Sequence, residues 1–261
     1  MIRVAPFSAL SLALLLALTP GGRAQEVKDA PPPPTASLVP VGSNSDAYWV
    51  GDGPNMRAIA LDPGAAPPAT LTVRTRTGLV TIPTILNRPS IALAASGDKL
   101  KVFANAEPGQ NGDPPVFGEY QLSNIPGHHD IFLNRSPKNK DWQEAESLVL
   151  RAGKDVFPDG SFRVINLCHE PIAVRIGADQ LTVEPRRARI QRPASLPNRP
   201  IPLQAARKDG NNVQWILRSG MSLDATQRAN LVFYPGRESK TPCQATTYYQ
   251  FDPAPLEPKE K

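Results

Sequence analysis

The residues from which active sites are usually built are scarce in this chain. Among 261 residues there are three histidines and two cysteines, and aromatic side chains make up 6%. So few imidazoles and thiols leave little for a metal centre or a nucleophile–base pair. No G-x-S-x-G elbow, H-E-x-x-H helix or phosphate-cradling glycine loop occurs, so the common local signatures of hydrolases, zinc peptidases and nucleotide enzymes are missing. Charge is sparse too, at 20% of residues, with a formal net charge of +5. No aromatic residues interleave with the arginines of the Arg-rich stretch 185–200 to stack bases, which argues against a nucleic-acid partner. Beyond residue 24, no apolar run approaches the roughly 20 residues of a membrane-spanning helix.

One apolar run opens the chain. Arg3 precedes Ala9–Leu18, Pro20 and Gly21 then break any helix, and the small residues Gly22 and Ala24 flank Arg23. This is the layout of a signal peptide over residues 1–24, cleaved after Ala24, and it predicts a secreted or periplasmic protein. Cleavage discards Arg3 and Arg23 and no acid, so the mature chain is only mildly basic. In an oxidising compartment Cys168 and Cys243 are candidates for a disulfide, and two buried thiols are the alternative.

Proline is abundant: 30 residues, about twice the usual share. Pro31–Pro34 marks residues 25–45 as a Pro-rich disordered linker, and the charged, proline-bearing 252–261 as a disordered tail. In between, short runs rich in Val, Ile, Leu and Thr are bounded by Gly, Pro, Asn or Asp, which is the signature of strands. Leu71 and Val73 alternate with Thr72 and Arg74, and Leu181 and Val183 with Thr182 and Glu184. One face of such a strand is buried and the other wet, as in antiparallel sheets. Only Asp141–Leu150 and Asp224–Arg228 suit helical turns. The expected fold is all-β: an antiparallel β-sandwich architecture with little helix, in two lobes over 46–155 and 156–251.

The second lobe also carries a resemblance. Phe157–Leu167 (FPDGSFRVINL), Ile172–Gly177 (IAVRIG), Leu181–Pro185 (LTVEP) and the basic strand near Arg187–Gln191 resemble a group of bacterial exported β-sandwich proteins with no assigned activity. The resemblance implies a bacterial exported protein and transfers no functional residue.

The candidate chemistry is modest. Ser96–Lys99 has the S-x-x-K spacing of penicillin-recognising enzymes, without their partner motifs, and reads as a hairpin turn. His129, Asp130 and His169 are the residues from which a metal site could be drawn, but neighbours in a strand face opposite ways, so no metal and no cofactor are expected. Val213, Trp215 and Leu217 share one face at period two, which makes Trp215 a core residue. In the Arg-rich stretch 185–200, Arg187 and Arg189 alternate with Ala188 and Ile190, the pattern of a charged edge strand. They are the candidate binding residues, able to meet an envelope or extracellular protein or a glycan. The chain thus reads as an exported binding protein without catalysis. The alternative is a carbohydrate-active hydrolase with paired carboxylates, for which Asp46 and Asp52, beside Tyr48 and Trp49, are the first candidates.

Overall fold

The computed structural model describes residues 33–43, 66–105, 107, 114–122, 126–136, 142, 144–196, 199–210, 212–236 and 243–252, with the backbone of two further strands at 47–50 and 57–60. The segment 1–24 expected to be a signal peptide lies outside these residues, as do Asp46, Asp52 and the side chains of Tyr48 and Trp49. Every described element is a strand. No helix of the described residues is long and apolar enough to cross a membrane.

Four sheets of four strands make up the fold. Sheet I has the order β10 (Glu146–Arg151), β9 (His128–Asn134), β1 (Thr35–Val41), β6 (Leu93–Ala94). Sheet II runs β5 (Gly78–Pro83), β4 (Thr70–Thr75), β7 (Lys99–Phe103), β8 (Val116–Gln121). Sheet III runs β14 (Arg187–Gln191), β11 (Ser161–Asn166), β17 (Arg228–Pro235), β18 (Cys243–Gln250). Sheet IV runs β13 (Asp179–Val183), β12 (Ile172–Ile176), β15 (Ile201–Asp209), β16 (Asn212–Met221). A separate hairpin pairs β2 (Ala47–Val50) with β3 (Arg57–Ala60).

The second lobe repeats the first strand for strand. Without the β2–β3 hairpin, β1 and β4–β10 correspond in order to β11–β18. Each lobe holds one parallel pair, β1 with β9 and β11 with β17, in a setting otherwise antiparallel. Even an irregularity recurs. Register slips between Val102 and Phe103 where β7 meets β8, and between Ala205 and Ala206 where β15 meets β16. The extra residues of these bulges are Phe117 and Ile216.

Three apolar clusters stack the sheets. Leu38, Leu71, Val73, Leu100, Ile131 and their neighbours fill the space between sheets I and II. Phe162, Val174, Leu203, Leu231 and others do the same between III and IV. A third cluster, with Val39, Val41 and Phe132 on one side and Ile165, Leu167 and Val232 on the other, joins sheet I to sheet III. The layer order is therefore II, I, III, IV, and the central strands β1, β9, β11 and β17 are buried on both faces.

Several expectations need correction. The linker assigned to 25–45 contains β1, a central strand with Ala36, Leu38 and Val39 fully buried. Pro40 is tolerated because its backbone position faces away from β9, on the side where pairing to β6 has ended after Ala36; its carbonyl accepts from Asn87 N at 2.7 Å. In the helical candidate 141–150, Glu146–Leu150 belong to β10. Ser96–Lys99 is a turn but not a hairpin, since β6 and β7 belong to different sheets. Asp252, placed in the tail, is bonded to Arg228; residues 253–261 lie outside the described set.

Candidate binding surface

The charged residues of the interior are consumed by the joint between lobes. Asp130 on β9 and Arg163 on β11 meet across sheets I and III, 0% and 2% exposed as side chains, with Arg163 Nη2 donating to Asp130 Oδ2. Arg163 Nε donates to Asn230 Oδ1 at 2.7 Å and Nη1 to the Arg151 carbonyl at 3.2 Å. Its guanidinium stacks on Phe157, 4.6 Å from the ring centroid. Asn230 Nδ2 in turn donates to Gln250 Oε1 at 2.8 Å. A buried pair with its remaining donors satisfied is tolerated, whereas removing one partner strands the other charge. Burial alone pushes the Asp130 carboxyl up, but Arg163 and His128, whose Nε2 lies 3.3 Å from Oδ1, outweigh it and hold the pKa below its ordinary value.

Two further arginines tie the lobes. Arg228 Nη1 donates to the Ala152 carbonyl at 2.7 Å, and its Nη2 reaches Asp252. Arg186, held at φ 57 in the left-handed region that costs a side-chain-bearing residue about 1 kcal/mol, donates to Asn134 Oδ1 at 3.1 Å and to the Ser147 carbonyl. The Arg-rich stretch therefore has two uses: Arg186 is a structural tie, and the arginines after it face outward.

The metal candidates are not brought together. His129 and Asp130 lie on opposite faces of β9, and His169 is exposed near Glu146, with Nε2 4.0 Å from Oε1. Among the described residues no group of three or more His, Cys, Asp or Glu is placed to hold a metal. Cys168, just after β11, and Cys243, which opens β18, are joined by a disulfide with a Cα–Cα distance of 6.5 Å. It ties two strands of sheet III that are separated by β17. An open hollow of about 260 Å³ beside it is lined by Gln214, Trp215, Ile216, Tyr234, Cys243, Gln244 and Ala245, with no carboxylate or histidine.

Arg187 and Arg189 lie on β14, the edge strand of sheet III, and both are exposed. Ala188 between them packs into the joint at sheet I, which fixes the strand and turns the arginines away from it. Among the described residues neither has an ion-pair partner. Arg192 and Arg199 continue the exposed basic stretch. The surrounding lobe shares this bias: residues 156–251 carry 13 Lys and Arg against 7 Asp and Glu, while 46–155 carry 11 against 12.

No family model matches the chain, and no curated protein is similar to it in sequence.

One expectation fails at this surface. Trp215 is not core but 49% exposed. The bulge at Ile216 breaks the period, so Trp215 opposite Ala206 and Leu217 opposite Ala205 take opposite faces of sheet IV. The adjacent apolar pair Ile216–Leu217, out of step with the alternation, is the signal in the sequence that marks the bulge.

Proposed function

We propose that the protein is exported and acts by binding, without catalysis, an anionic partner in the envelope or extracellular space through the basic edge of its second lobe. The observation that supports this most is the division of arginines. Arg163, Arg186 and Arg228 are spent on the joint, whereas Arg187 and Arg189 stand exposed on an edge strand, without an ion-pair partner among the described residues. Charged edge strands deter sheet-to-sheet pairing, and a cluster of one sign also steers an oppositely charged partner. The leader-like segment and the disulfide agree with an oxidising compartment.

Charge reversal separates partner binding from protection of the edge. R187E/R189E leaves folding within about 0.5 kcal/mol of wild type, because both side chains are solvated. Capture of partners from an envelope extract falls sharply in this variant and weakens with added salt in the wild type. Unchanged capture, insensitive to salt, would remove the edge from the account.

A further inference from the structure

Sheet IV leaves its outer face open, and register organises that face into two rows. Gln180, Arg175, Gln204 and Arg218 lie side by side across β13, β12, β15 and β16. The next row is Thr182, Ala173, Ala206 and Trp215. With strands about 4.8 Å apart, each row is about 14 Å long, and the rows are about 7 Å apart along the strands. The second row is a floor of small side chains that ends on the half-exposed indole of Trp215. The first row is a wall of hydrogen-bonding and cationic groups. Arg218 stacks on Trp215, its Cζ 4.1 Å from the ring centroid, which holds the guanidinium over the end of the floor. Arg175 spends one donor, Nε to the Gly177 carbonyl at 3.2 Å, and keeps its terminal nitrogens for other partners. Gly177, at φ 60, makes the two-residue turn that sets β12 beside β13. On the far side of the floor lies the exposed Lys208, opposite Val213. Neither row contains a carboxylate.

The ordinary state of an outward sheet face is a mixture of both charge signs around polar residues. These two rows instead hold cations of one sign, three amide or hydroxyl side chains, a shallow floor and an exposed tryptophan. We propose that it binds an acidic polysaccharide lying across the strands. The arginines pair bidentately with its carboxylates, Gln180, Gln204 and Thr182 exchange hydrogen bonds with its hydroxyls, and the apolar face of a sugar ring lies against Trp215. An acidic peptide would satisfy the charges but has no need of the floor and the hydroxyl-matching wall. The inference rests on the reading that the protein acts by binding, but on a surface separate from Arg187 and Arg189.

Titration calorimetry tests it with polygalacturonate as the acidic glycan, dextran as the neutral one and polyglutamate as the acidic peptide. Polygalacturonate binds, dextran does not, and polyglutamate binds more weakly. Affinity falls about tenfold or more in R175A/R218A and in W215A, since each loses contacts worth at least about 1.4 kcal/mol. The R187E/R189E variant retains it, so failure at the edge strand and failure at this face are read separately. All the substituted side chains are solvent-exposed or half-buried, and circular dichroism of each variant verifies the fold. Absence of polygalacturonate binding, undiminished affinity in the W215A and R175A/R218A variants, or polyglutamate binding as tightly would overturn the proposal.

Discussion

Phe103 and Ala206 occupy matched positions in the two lobes, and they leave the outer faces in different states. In sheet II, Phe103 lies opposite Thr72 and is fully buried, with Arg74 and Lys101 leaning over its ring at 5.4 and 5.6 Å. In sheet IV the matched residue, opposite Ala173, is Ala206, and the residue across from it is Trp215 rather than Val116. Further along, Glu119 of β8 pairs with Lys99 at 2.8 Å, whereas the matched position on β16 is Arg218, which stacks on Trp215. One strand plan, bulge included, thus carries a face with a buried aromatic ring and a Lys99–Glu119 ion pair in the first lobe, and a face with a half-exposed indole and an arginine at the matched position in the second. The difference lies in a few side chains at equivalent register, which is where a function added to a common scaffold is expected.

The sharpest way to break the comparison is at the joint. Arg163 corresponds to Ser37 in the first lobe, and Asp130 to Asn230 in the second, so the ion pair exists in only one of two equivalent places. Arg163→Met leaves the Asp130 carboxylate buried without its partner and costs about 3–5 kcal/mol in denaturant unfolding. Asp130→Asn in the same chain recovers most of that loss, while Ser37→Ala alone costs under about 1 kcal/mol. A double-mutant cycle with no coupling would show that the pair does not hold the lobes.

The outer faces give the next contrast. Phe103→Ala removes a fully buried ring and costs about 3–5 kcal/mol, whereas Trp215→Ala, at a half-exposed ring, stays within about 1 kcal/mol. Equal losses would mean that Trp215 is core and that the second face is not open.

The smallest effect is a pH slope. Burial lowers the His129 pKa below its ordinary value, so the folded chain binds fewer protons than the unfolded one and stability declines as pH falls below about 6.5. Asp130, whose pKa is also lowered, adds a further loss as pH falls below its ordinary 3.8. The matched residues in the second lobe are Ala229 and Asn230, which do not titrate. His129→Gln therefore flattens the decline just below pH 6.5 and leaves the loss in stronger acid. An unchanged slope in urea titrations across this range would remove His129 from the account.

How much of this can be read in the sequence depends on how a strand is buried. Strands wet on one face show period two, and β4, β13 and the basic edge β14 are legible for that reason. Strands buried on both faces lose the alternation, and here they also carry polar residues, Asp130, Arg163 and Asn230, whose partners are distant in sequence. Nothing local marks them as an internal network. β1 is hidden by its proximity to the proline run and by Pro40, which fits only because pairing on that side has ended. The repeat between lobes is visible only as a loose strand–turn–strand likeness, since equivalent positions hold different residues: Phe103 and Ala206, Glu119 and Arg218. The open face escapes the period-two pattern for a simpler reason: a one-residue bulge turns Trp215 outward.

Amide hydrogen exchange of the protein with and without saturating polygalacturonate tests the central contrast directly. Added protection confined to β12, β13, β15 and β16, with β4, β5, β7 and β8 unchanged, is the result the account predicts. Protection spread equally over both lobes, or found only in the first, would contradict it.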